Sequence, residues 1–213
     1  MDILQESIEV YERLRNIRYH VAVENGEEFT FKFLPENYHH LAGFQHLIDF
    51  QNISDYQRKD QFYGQVKRNR IDANYVQRSS YYHIIADRLN TFAIIEQIVS
   101  AGTGRIIVEY NKAKLSSEID AKYYLYNRCG SALTGNVTYH ILFIGCQRNS
   151  YFPATYVVEH SNIYISEIKF YSTARLPICQ NKFHAEHIII GGESHWYMSY
   201  MYVCCYVLCM RPL

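Results

Sequence analysis

Apolar residues recur at Ile3, Leu4, Ile8, Tyr11 and Leu14, the spacing of one helix face, and predict a helix over residues 2–15. Asp2 and Glu6 give it the acidic first turn that suits a helix N-terminus. Arg18–Val23 then alternates as a strand does. Asn25-Gly26 is a strong hairpin signal, and Phe29, Phe31 and Phe33 share one face of the strand that follows. Pro35 fits the first turn of a short helix because its missing N–H would lack a partner there. On that helix His39 and His40 lie beside an apolar stripe of Leu41, Phe44, Leu47 and Ile48.

Residues 51–80 are polar and mixed, and predict short helices joined by loops. From Tyr81 to Ser100, the positions Ile84, Ile85, Leu89, Phe92, Ile95, Ile98 and Val99 predict one amphipathic helix, ended by Gly102 and Gly104. The period then changes to that of strands: Arg105–Tyr110, Glu118–Tyr126, Val137–Ile144, Ala154–Glu159 and Ile163–Phe170. Their short connections favour an antiparallel meander, since parallel pairing needs long crossovers. The expected fold class is therefore α+β, with N-terminal helices and a hairpin packed on a C-terminal antiparallel β-meander of four or five strands. Residues 1–182 are expected to form a single domain, and 183–213 an atypical apolar tail rich in Cys and Tyr.

A chain of 213 residues is ample for one core. Lys plus Arg and Asp plus Glu both number 21, so net charge does not advertise a polyanion partner. The 21 tyrosines, each a large ring with a hydrogen-bonding tip, suit a half-wet binding surface. No apolar segment follows a basic start, so no secretory signal is expected. Six cysteines without a regular framework point to a reducing, cytoplasmic setting, and the lack of a CxxC pair argues against structural zinc. The spacing His184-x-x-His187 does not match a zinc helix either, so no metal and no cofactor are expected. Trp196–Met210 is uncharged but shorter than the ~20 residues a bilayer core requires.

Among the basic residues Arg58, Lys59, Lys67, Arg68, Arg70 and Arg78, contact with phosphate competes with the plainer role of a solvated face. Within the meander, alternation puts Ile119, Ala121, Tyr123 and Leu125 on one side and Asp120, Lys122, Tyr124 and Tyr126 on the other. On the next strand Tyr139, Ile141 and Phe143 oppose His140. If apolar sides align, a wet face carries Asp120, Lys122, Tyr124 and His140, with Thr155 or Tyr156 nearby. No GxSxG and no GxxxxGK[ST] is present.

Four passages resemble one family. Lys32–Phe44, with His40-Leu41-Ala42-Gly43-Phe44, is similar to its "x-His-Leu-x-Gly-Leu" helix. Ile119–Tyr126 resembles an "Ala-x-Tyr-Leu-x-Tyr" strand, Tyr139–Ile144 a following "His-Leu-Phe-Leu", and Tyr151–Tyr156 a "Tyr-x-Pro-x-Ser/Thr-Phe" segment. In this order they resemble the phage-associated branch of the barnase–EndoU–colicin–RelE nucleases, over about Val10 to Arg175. The chain departs from that pattern at Val157 and at Ser166-Glu167.

The resemblance implies a RelE/barnase-like domain acting as a metal-independent ribonuclease of toxin or phage-effector type. It implies RNA, with tRNA one candidate, as substrate, an immunity or antitoxin protein as a candidate partner, and no DNA; the short uncharged stretch Trp196–Met210 makes a membrane partner unexpected. In such a nuclease His40 is the expected general acid or base, and Lys122 the electrostatic stabiliser, with Tyr124 and Thr155 positioning phosphate. His39, His140, Tyr151 and Tyr156 are the expected substrate-binding residues, His140 also being a reserve imidazole. The competing expectation is a catalytically inactive RNA- or protein-binding domain of the same fold, in which the histidines brace the helix and the tyrosines stack bases.

Overall fold

The computed structural model describes residues 2–23, 27–54, 58–100, 106–111, 118–130 and 137–161, together with the backbone of strands at 173–179, 184–190 and 193–199. The expected Asn25-Gly26 turn, Gly102 and Gly104, and strand Ile163–Phe170 lie outside the described residues.

Helix α1 (Ile3–Arg15) starts where Asp2 accepts from the Leu4 and Gln5 amides at 2.8 and 3.4 Å, an N-cap of the usual kind. Its apolar face, Leu4, Ile8, Tyr11 and Leu14, is fully buried or nearly so. Strands β1 (Ile17–Val23) and β2 (Glu28–Lys32) pair as an antiparallel hairpin, opposing Tyr19 to Phe31 and Val21 to Phe29. After β2 a turn through Leu34 and Pro35 leads into α2 (Asn37–Leu41), where the Leu34 amide donates to Asn37 Oδ1 at 2.9 Å. Tyr11 fixes this turn from α1 by donating to the Leu34 carbonyl at 2.7 Å, while its ring packs against Phe33, Tyr38, Tyr63 and Phe92. Leu41, Phe44 and Leu47 are buried as the stripe predicts, whereas Ile48 is exposed.

Short helices α3 (Gln51–Ser54), α4 (Lys59–Lys67) and α5 (Ala73–Val76) fill the polar stretch. The single helix expected over 81–100 is instead two, α6 (Tyr82–Asn90) and α7 (Ile94–Val99). At the break, the Thr91 hydroxyl back-bonds to the Asp87 carbonyl at 2.6 Å, and the Thr91 carbonyl accepts from Tyr156 at 3.1 Å. The same carbonyl also accepts from the Ile94 amide at 2.9 Å, a tighter turn that leads into α7.

Strands β3 (Ile106–Glu109), β4 (Tyr123–Gly130), β5 (Val137–Gln147) and β6 (Ser150–Glu159) form the antiparallel meander. Arg148 and Asn149 close the β5–β6 hairpin at φ of 49° and 62°, a two-residue loop whose left-handed residues match the twist of the strands. A bulge between Phe143 and Ile144 resets the register within this pair. β6 meets β2 in a parallel contact, Phe31 opposite Tyr151, which joins the hairpin to the meander. Strands β7 (Thr173–Cys179), β8 (His184–Ile190) and β9 (Glu193–Ser199) continue the sheet beyond β1, giving the order β3-β4-β5-β6-β2-β1-β7-β8-β9. Among the described residues no helix is long and apolar enough to cross a membrane.

The meander is apolar on both sides. Tyr123, Leu125, Leu142, Ile144 and Tyr156 enter the large core beneath the helices, while Tyr124, Tyr126, Ile141, Phe143 and Val157 form a second cluster with Tyr110. The expected wet face carrying Tyr124 and His140 together does not form. Lys122 sits in a bend before β4, so Ile119 and Ala121 pack with the second cluster whereas Tyr123 and Leu125 enter the first. Tyr124 opposes Phe143 and Asn127 opposes His140, which places Tyr124 and His140 on opposite sides. With a period of two, a single offset exchanges every side chain between faces.

Candidate functional site

Helix α2 and the turn after it carry the imidazoles. His39 is buried and donates from Nε2 to the Ile53 carbonyl at 2.6 Å, with its ring edge-on to Phe62, so it braces α2 against α3 and α4. His40 is half-buried and bonds through Nε2 to Lys59 Nζ of α4. Gly43, at φ 86°, turns the chain so tightly against α6 that a Cβ there would lie 2.9 Å from Ile85 and 3.2 Å from Arg88 Nη1. The 3-10 turn Phe44–His46 follows, with Gln45 Nε2 3.2 Å from His46 Nε2.

These groups share one electrostatic pattern. Burial, the Lys59 ammonium and His39 push the proton affinity of His40 down to about 4, with His46 adding to the effect and Gln45 opposing it. Burial and then Arg88 lower His46, and burial lowers Lys59. Two cations and two imidazoles therefore cluster at half-buried positions where the charged forms of the imidazoles are disfavoured. An anion placed among them would relieve that crowding.

Beside it lies a second network, joined through Arg88, whose charge also acts on Tyr156 of β6. The Tyr156 hydroxyl meets Thr91 Oγ1 at 3.0 Å, the Thr91 carbonyl at 3.1 Å and His140 Nδ1 at 2.7 Å. The phenol has one proton to give among these three partners; when it goes to the Thr91 carbonyl, His140 donates from Nδ1. His140 itself is buried, and burial followed by His160 lowers its proton affinity while Asp87 opposes them. The expected result is a His140 that is neutral at pH 7, read from nitrogen chemical shifts in NMR; an imidazolium at that pH would refute the effect of burial.

The remaining expected residues stand elsewhere. Lys122 was expected beside His40, yet its ammonium engages Glu27 at 3.0 Å and Tyr151 at 3.2 Å, and these partners, Tyr151 first, hold it above the usual lysine range. Tyr124 is buried under Tyr110, Tyr126 and Phe143, and burial raises its phenol. Thr155 opposes Phe143 and so shares the Tyr124 side of the sheet, away from Tyr156 and His140. The eight expected residues thus divide among helix α2 (His39 as a buried brace, His40 beside Lys59), the network beside it (His140, Tyr156), the Glu27 pair (Lys122, Tyr151) and the outer cluster (Tyr124, Thr155).

Sequence reasoning missed His46, Arg88 and Glu27 and left Lys59 as one of several cations. Nothing in their spacing marks them, because tertiary packing brings each to its partner. Among the described residues no group of three or more His, Cys, Asp or Glu is placed to hold a metal ion. No curated protein and no solved structure matches the chain. A family model described as phage-Barnase-EndoU-ColicinE5/D-RelE like nuclease4 matches residues 3–184, and the chain belongs to that nuclease family.

Proposed function

We propose that this nuclease cleaves RNA by attack of a ribose 2′-OH on the adjacent phosphate, without a metal ion, in the groove formed by His40, His46, Lys59 and Arg88. The observation that carries this reading is the contact between the His40 imidazole and the Lys59 ammonium, set among further basic groups. A phosphodiester in the groove draws Lys59 Nζ onto a non-bridging oxygen and frees His40 Nε2. The neutral imidazole then takes the 2′-OH proton as O2′ bonds to phosphorus and the P–O5′ bond breaks. Phosphate binding favours protonation of His46, which returns a proton to the leaving 5′ oxygen. Lys59 and Arg88 stabilise the charge on the phosphoryl oxygens. A lysine and an arginine acting on the imidazoles oppose a divalent cation and favour a polyanion, which supports the metal-free route.

RNA, with tRNA among the candidates, is the proposed substrate. A toxin or phage-effector role, action in the cytoplasm and an immunity or antitoxin partner belong to the same proposal and rest on the phage association of the family. The test is incubation of the purified protein with tRNA and total RNA in EDTA. The expected result is cleavage leaving 2′,3′-cyclic phosphate ends. Cleavage that requires a divalent metal overturns the mechanism. RNA that is retained on a filter and remains intact favours the inactive binding domain.

A further inference from the structure

Outside the groove, Lys122 Nζ donates to both oxygens of Glu27, at 3.2 and 3.0 Å, and to Tyr151 at 3.2 Å, while the Tyr123 hydroxyl donates to the same carboxylate. An exposed ion pair is by itself of little consequence. This one is set on a stack of aromatic rings. Phe29 lies 4.9 Å from Tyr123 at an interplanar angle of 8°, and 4.4 Å from Tyr151 at 22°. The ammonium stands 5.2 Å from the Tyr123 ring centre and 5.7 Å from that of Tyr151. Glu27 and Lys122 remain 47% and 35% exposed at their side chains, and Tyr151 is half-buried. An anion and a cation are therefore held beside parallel rings and in reach of solvent.

We infer that this pair is a nucleobase subsite for guanine, an inference that rests on the nuclease reading. A base lies on the Tyr151 ring, since stacking on aromatic side chains tolerates any base. Hydrogen bonding then selects among them. The pairing edge of guanine sets one acceptor, O6, beside two donors, N1–H and N2–H. The two donors match the two oxygens of the Glu27 carboxylate, and O6 accepts from Lys122. Adenine and cytosine present a single amino group beside an acceptor, and uracil presents one N–H between two carbonyls, so neither arrangement satisfies both carboxylate oxygens. On binding, the Lys122 ammonium turns from Glu27 to O6 and the base edge takes its place on the carboxylate.

The test uses the full chain and the four free nucleosides, which carry no phosphate and so do not engage the groove. Calorimetry or saturation-transfer NMR is expected to show guanosine bound about tenfold or more tightly than adenosine, cytidine or uridine. Glu27→Gln, which keeps the shape but replaces one acceptor with a donor, is expected to abolish that preference. Equal affinity for all four, no binding of guanosine, or guanosine binding undiminished in Glu27→Gln would each overturn the subsite. His40→Ala is expected to bind guanosine as before. Guanosine binding by a protein that leaves RNA intact would keep the subsite and remove the ribonuclease reading.

Discussion

His40→Ala is expected to lower RNA cleavage by roughly 10²- to 10⁴-fold, the usual contribution of one acid–base group. The effect should fall on kcat more than on KM, because Lys59 and Arg88 remain to hold phosphate. The pH profile of the unmodified protein gives an independent check. His40 must be neutral to accept a proton, and its affinity lies near pH 4 in place of about 6.5 for a free imidazole. The acid limb of kcat/KM is thus expected well below pH 6, and it should disappear in His40→Ala. Stability follows the same sign. Between about pH 4 and 6.5 the unfolded chain binds more protons at this position than the folded one, so folding stability rises with pH across that window and is lost as pH falls through it. Cleavage by His40→Ala at the unmodified rate, with an unchanged acid limb, would remove His40 from the mechanism.

Gly43→Ala is expected to destabilise the protein by about 1–3 kcal/mol and to reduce cleavage as well. The φ of 86° is one that L side chains rarely adopt, and an added Cβ would stand 2.9 Å from Ile85 Cγ2 and 3.1 Å from Arg88 Cδ. Ile85 is buried, so it has little room to give. Relief requires α2 and α6 to separate, which moves His40 and Arg88 apart. Thermal unfolding should show a midpoint lower by roughly 2–12 °C for a chain of this size. Alanine tolerated here with no change in midpoint or in cleavage would show that the close approach of the two helices is unimportant.

The elements were legible in the sequence wherever one period ran undisturbed. The spacing of Leu4, Ile8, Tyr11 and Leu14 gave α1, the alternating phenylalanines gave β2, and β5 emerged from Val137 onward. The family was legible too, through the order of its short passages, and the match over residues 3–184 bears it out. Faces were harder. The bend at Lys122 shifts the phase of alternation just ahead of β4, and no single-strand pattern reports the register with the neighbouring strand. The helix break falls at Thr91, whose carbonyl partner Tyr156 stands sixty-five positions away. The partners of the histidines were hidden for the same reason. Lys59 lies nineteen positions from His40, in a stretch where every charge looks alike.

Burying the middle of the meander on both sides has a consequence for how such a protein diversifies. A strand with hydrocarbon above and below offers no free wall on which new chemistry can be installed, and each of its positions answers to two neighbourhoods at once. Change of substrate must then be written into the helical half and the rims, where a side chain can be exchanged without disturbing a second layer.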